Sequence, residues 1–129
     1  MPRATIDKTY VEQLDLKSLP GGEVQLRRLS YGELIRRRQI GTAMTLQQVE
    51  GDQIGTVEMI NRKMTEFEFT HCIVEHNLED ENGKLLDFRK SQTFDILDPR
   101  VGEEIARRID EMNDLDSHLE SLDGESSEA

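Results

Sequence analysis

A chain of 129 residues with 35% hydrophobic and 5% aromatic residues, no Trp and a mean hydropathy of −0.66 has material for one modest core. Its net charge of −11 is repelled by phosphate backbones and by anionic lipid, which argues against a general nucleic-acid binder and against a membrane-surface protein. A single cysteine, Cys72, has no partner for an internal disulfide, no apolar signal segment opens the chain, and no run approaches the roughly 20 apolar residues that span a bilayer, so a reducing, cytoplasmic setting is expected.

Residues 1–10 (MPRATIDKTY) read as a flexible leader, because Pro2, Arg3 and Lys8 sit in no apolar pattern. Residues 11–113 read as a single α+β domain, mainly α. Within it, residues 11–19 (VEQLDLKSL) place Leu14 and Leu16 on one side, and residues 23–29 (EVQLRRL) alternate Val24 and Leu26 against Glu23, Gln25 and Arg27. Between them lies Pro20-Gly21-Gly22, where proline fixes one dihedral and glycine permits the left-handed one. The pattern predicts a β-hairpin over residues 11–29.

A helix over about 30–46 is expected next. Ser30 and Glu33 have the spacing of a capping box, in which each side chain takes the other residue's orphan N–H. Its apolar face is untidy: Leu34 and Ile35 lie on one side, Ile40 and Met44 well round from them. Gly41 is a weak point, at about 1 kcal/mol relative to Ala. Residues 47–55 (QQVEGDQIG) read as a flexible link.

The longest regular pattern follows. Val57, Ile60, Met64, Phe67, His71, Val74 and Leu78 recur at 3-4 spacing, one stripe on a helix over 56–78, with Ile73 on its flank. Asn77 or Asn82-Gly83 supplies the stop. Leu85, Leu86 and Phe88 are expected to tuck back onto the core after an Asn-Gly turn, and residues 91–97 to form one helical turn with Phe94 and Leu97 inward. Asp98-Pro99 marks the start of a last helix over 99–113, with Asp as the N-cap and Pro in the first turn. Its buried stripe is Val101, Ile105, Ile109 and Met112.

From Asp114 the chain carries six acids and no Lys or Arg; removing those six leaves a net charge of −5, so over half of the imbalance lies in this tail. Met112, Leu115, Leu119 and Leu122 nevertheless keep a helical spacing. The segment reads either as a fraying, disordered acidic end or as one that orders on a partner.

No motif carries chemistry. Cys72 and His76 are four apart, with His71 and Glu75 beside them, but a zinc site needs three or four ligands and no second Cys or paired His motif stands elsewhere. No phosphate loop, dinucleotide fingerprint or nucleophile elbow is present. The expectation is no enzyme, no metal and no cofactor. The informative cluster is basic: Arg27, Arg28, Arg36, Arg37 and Arg38 fall within twelve residues of an acidic chain. It reads either as a face paired with the chain's own acids or as a docking surface for an acidic partner or another copy's tail. The partner-binding candidates are therefore these five arginines with Leu115, Leu119 and Leu122.

Three blocks, LPGGEVQLRRLSYGELIRRR (residues 19–38), FEFTHCIVEHNLEDENGKLLDF (67–88) and LDPRVGEEIARRIDEMN (97–113), resemble in order and pattern the tail assembly chaperones of long-tailed phages and prophages. The resemblance leaves out residues 47–55 and the tail. It implies a non-catalytic protein of the host cytoplasm that coats the tape measure protein, helps bring tail tube subunits to it, and is absent from the mature virion. It also implies, for many members, a longer form made by a ribosomal frameshift. Two other classes remain open on sequence alone: a structural adaptor or head–tail connector retained in the virion, and an acidic mimic of DNA. Weak self-association through the 56–78 stripe or the leucine-spaced tail is expected; no nucleic acid, membrane or small-molecule substrate is.

Overall fold

The computed structural model describes residues 2–48 and 53–115. Its elements run β1 (Glu12–Asp15), β2 (Glu23–Leu26), α1 (Tyr31–Gln48), α2 (Gln53–Cys72), β3 (Ile73–His76), α3 (Ser91–Ile96) and α4 (Pro99–Asn113). The fold is α+β and mainly α: a small antiparallel sheet ordered β1-β2-β3, followed and covered by helices.

The hairpin forms as its sequence requires. The Gly22 N–H donates to the Leu19 carbonyl at 2.9 Å, with Pro20 and Gly21 at the two central turn positions. Gly21 has φ +91°, the value a type II turn demands at its third residue. Gly22 is needed for a different reason, space: a Cβ there would stand 2.9 Å from Leu16 Cδ1 and 3.0 Å from the Leu19 carbonyl oxygen. Leu14 on β1, Leu16 just past its end, and Val24 and Leu26 on β2 face inward, whereas Gln13, Asp15 and Glu23 stay wet. One covered face and one solvated face is the usual state of an antiparallel sheet.

The expected 56–78 helix is corrected at both ends. It begins at Gln53 and stops at Cys72, and Ile73–His76 is the third strand. The apolar spacing runs on past Cys72, but Ile73 and Val74 are β-branched and suit extended backbone. The free edge of β2 then captures the segment: Val24 pairs with His76, Gln25 with Glu75 and Leu26 with Ile73, with an irregularity between Gln25 and Leu26. Asn77, expected as a helix stop, instead clamps the sheet. Its side-chain oxygen accepts the Glu23 N–H at 2.7 Å, its side-chain nitrogen donates to the Gly21 carbonyl at 2.9 Å, and its own N–H reaches the Glu23 carbonyl at 3.2 Å. The flexible link expected over 47–55 is corrected too. Helix α1 extends to Gln48 and α2 starts at Gln53, so only residues 49–52 fall between them, outside the described residues.

Helix α2 is two-faced. Of its predicted stripe, Met64 and Phe67 meet α1: Met64 Sδ is 3.4 Å from where a Gly41 Cβ would sit, and the Arg36 guanidinium lies over the Phe67 ring at 5.9 Å. The most buried positions, Glu68, Phe69 and Cys72, lie off that stripe. Phe69 packs against Phe88 and Phe94 with ring centroids 5.7 and 5.2 Å apart. Val74, expected in the stripe, is exposed because it belongs to the strand. Leu85, expected inward, also faces water: it bridges Glu79 in extended conformation, and alternation sends Leu86 in and Leu85 out.

Helix α4 lies against the inner face of the sheet. Asp98 caps it by accepting the Arg100 N–H at 2.9 Å, Pro99 opens it, and Val101, Ile105 and Ile109 are buried. Each such aliphatic side chain contributes roughly 1.5–3 kcal/mol by leaving water. Polar ties fix its position. The Glu104 carboxylate accepts the N–H groups of Lys17 and Ser18 and the Ser18 hydroxyl, which lowers its pKa. Arg108 pairs with Glu12 on β1. At the far end the Asn113 side-chain oxygen accepts the Leu29 N–H at 2.8 Å, Asp114 turns the chain at φ 54°, and Leu115 is buried in the core.

The Asn77 clamp is testable. Asn77→Ala removes two side-chain hydrogen bonds between β3 and the hairpin turn and is expected to cost roughly 1–2 kcal/mol. Asn77→Asp retains the acceptor for Glu23 and loses the donor to Gly21, so its urea midpoint should fall between the other two, with an unchanged m-value.

Candidate functional site

The arginine cluster is divided by the fold into an inner and an outer set. Arg27, just past β2, makes a two-pronged pair with Glu33 in the first turn of α1, at 2.9 and 2.8 Å. Glu33 also accepts the Ser30 N–H at 2.8 Å while its own N–H donates to the Ser30 hydroxyl at 3.2 Å, so the predicted capping box forms. This carboxylate is buried, yet the Arg27 hydrogen bonds, aided by the Ser30 N–H and the nearby charge of Lys8, hold its pKa down to about 2. Arg37, one turn on, reaches Glu68 of α2 at 2.6 Å, and both side chains are largely buried. Arg36 stacks on Phe67.

Arg28 and Arg38 form the outer set. Both are exposed, and among the described residues neither has a carboxylate partner. With Arg38 go Tyr31 and Ile35: positions 31, 35, 38 and 42 follow i, i+4, i+7, i+11 and lie on one line along the outside of α1. Tyr31 is 72% exposed and Ile35 36%. The sequence reading grouped Ile35 with Leu34, but Leu34 packs on the core and Ile35 does not. Tyr31 stands between the two capping-box residues, at the first position of α1. The four-residue spacing between two large apolar side chains, with arginines at either end, was the available signal.

The tail candidates divide likewise. Leu115 is a core residue, and Leu119 and Leu122 lie outside the described residues.

The His71–Cys72–Glu75–His76 grouping is taken apart by the helix-to-strand change at Cys72. His71 stacks on Phe67 with its Nδ1 2.9 Å from the Phe67 carbonyl oxygen. His76 Nδ1 accepts the Leu78 N–H at 3.0 Å and its ring meets Phe88 edge-on, and burial lowers its pKa. Among the described residues no group of three or more His, Cys, Asp or Glu side chains is arranged to hold a metal. Cys72 has no exposed surface, and burial, reinforced by the charge of Glu68, pushes its thiol up to about 12.

Of the other large exposed apolar side chains, Tyr10 and Met59 stand apart and four fall into two pairs. Val74 and Leu85 border one open groove beside β3, with Lys84, Arg89 and Lys90 on its rim. Leu19 and Ile96 border a second, rimmed by Glu79, Glu81 and Asp98. No described helix is long and apolar enough to cross a membrane. No family model matches the chain, and no curated protein or solved structure matches it.

Two measurements check this geometry. Glu33→Gln leaves Arg27 without its counter-charge and weakens the cap, an expected loss of roughly 2–4 kcal/mol in chemical denaturation. Because the native Glu33 carboxyl titrates below its ordinary 4.5, its contribution is complete above that pH and fades as pH falls toward 2. The acid limb of the stability curve should therefore be shallower in Glu33→Gln. Cys72, buried and protonated, should resist a thiol-alkylating reagent in the native protein at pH 8 and react at once in denaturant.

Proposed function

We propose that this chain is a tail assembly chaperone of a long-tailed phage or prophage, a non-catalytic protein that binds and solubilises the tape measure protein and helps recruit tail tube subunits. The observation that carries the reading is the pairing of exposed apolar side chains on the surface of a strongly acidic chain: Tyr31 with Ile35 on α1, Val74 with Leu85 beside β3, and Leu19 with Ile96 of α3. Isolated exposed apolar residues are ordinary on any surface, whereas paired ones offer contact area to an extended apolar client. The net charge of −11 keeps a coated complex dispersed by mutual repulsion.

Further support comes from the sequence blocks that carry the resemblance. The first covers the turn, β2 and the first two turns of α1. The second covers the end of α2, β3 and the Glu79–Leu85 bridge, and the third is α4 with its cap. They are the parts that meet in the core.

Co-expression with the tape measure protein encoded beside it should raise that protein's soluble fraction, and the two should co-purify. Unchanged solubility with no co-purification overturns the reading. Mass spectrometry of purified virions should not detect the chain; its presence there at subunit stoichiometry favours the structural adaptor instead.

A further inference from the structure

The outer face of α1 stands open among the described residues, and its chemistry suits an occupant from the same chain. Four observations point to it. First, Tyr31 and Ile35 stand exposed on one line of the helix, and Arg28 and Arg38, exposed and without a carboxylate partner among the described residues, lie at its two ends. Second, Lys8 acts on Glu33 from nearby, so the start of α1 is positive beyond its arginines. Third, residues 116–129 have the complementary chemistry: Leu119 and Leu122 are its only large apolar residues, and Asp116, Glu120, Asp123, Glu125 and Glu128 face no Lys or Arg in the same segment. Fourth, the last described residues before this segment lie near the start of α1. The Asn113 side chain holds the Leu29 N–H at 2.8 Å, two residues before α1 begins, and Leu115 is packed into the core with Leu29.

We propose that the acidic segment 116–129 folds back in cis over the outer face of α1, setting Leu119 and Leu122 against Tyr31 and Ile35 and its carboxylates against Arg28 and Arg38. The lengths agree. Tyr31 to Arg38 is eight residues of helix, about 12 Å. Residues 116–123 would cover about 12 Å as a helix, and the fourteen residues 116–129 would reach at most about 50 Å when extended. Leu115, Leu119 and Leu122 keep a 4-3 spacing, so one stripe begins at a side chain that is already anchored. Tethering raises the local concentration of the segment to the millimolar range, so a weak contact suffices. A second copy supplies the same segment only at its bulk concentration. The arginine–carboxylate part is exposed and screened over about 8 Å at physiological ionic strength, so added salt should loosen it.

The proposal does not rest on the chaperone reading, since the free protein alone is measured. In the full chain, Ser126→Cys carries a nitroxide label; Cys72 is buried and should stay unlabelled in the native state. At low salt the amide peaks of Tyr31, Ile35 and Arg38 should be lost to paramagnetic broadening, while those of Asp95 and Arg100 persist. The same loss should survive dilution and should vanish with added Leu119→Ser and Leu122→Ser, or with Arg28→Glu and Arg38→Glu. Arg28 and Arg38 are exposed, and an unchanged circular dichroism spectrum verifies that each variant folds. Three results overturn the proposal: peaks at Tyr31 and Ile35 that are not broadened, broadening spread evenly over the surface, or broadening that fades on dilution and is reproduced when spin-labelled chain is mixed with isotope-labelled, spin-free chain, which assigns the face to a second copy.

Discussion

Strand β2 needs a partner on each edge, and most of the structure follows from how it obtains them. Val24 and Leu26 have no exposed surface, so the backbone between them is largely removed from water and its polar groups require protein partners. One edge is supplied locally by β1 through a turn that Pro20 and Gly21 pre-form. The other comes from Ile73–His76, some fifty residues further on. The helical pair α1–α2 is the excursion that brings the chain back to that edge. It is why α2 passes into β3 without an intervening loop, and Asn77 fastens the returning strand to the hairpin turn on both sides of Glu23.

With the sheet closed, its two faces have different fates. The inner face takes α4 as a cover, and the aromatic group of Phe69, Phe88 and Phe94 fills the side left open between α2 and α3. The outer face stays polar. The chain's many charges follow the same division. Where a charge lies inside, it is paired: Arg27 with Glu33, Arg37 with Glu68. Removing a charge from water is costly unless a counter-charge and hydrogen bonds accompany it. Arg62 on the surface ties α2 to α3 through Glu66, Asp95 and the Ser91 carbonyl, which positions a helix too short to hold itself. The fold thus absorbs much of the basic cluster and leaves a smaller positive face on the outside of α1.

What was legible beforehand depended on how local the cause was. The Ser30–Glu33 cap, the Asp98-Pro99 start of α4, its Val101-Ile105-Ile109 stripe and the Pro-Gly-Gly hairpin turn all arise between residues a few positions apart, and each was read from them. The end of α2 was misread because periodicity continued through Val74 to Leu78 while the deciding force, the unpaired edge of β2, lay far away in sequence. Leu85 was misplaced for a related reason: an apolar pair, Leu85-Leu86, gives no hint which member faces the core until the bridge to Glu79 sets the alternation. The candidate site was half legible. Five arginines close together marked the region, yet nothing in their spacing separated Arg27 and Arg37, which reach buried carboxylates, from Arg28 and Arg38, which do not.

The amino-acid order by itself determined the acidic character of the chain, its mainly helical α+β class, the turns and the helix starts, because these follow from composition and from hydrogen bonds and dihedral limits within one turn of backbone. The tertiary structure alone decided where helix gave way to strand at Cys72, which arginines were neutralised, and which apolar side chains were left facing water. Those outcomes are set by competition among groups distant in sequence for the same backbone edge, the same carboxylate or the same core volume, and that competition has no result until the chain has folded.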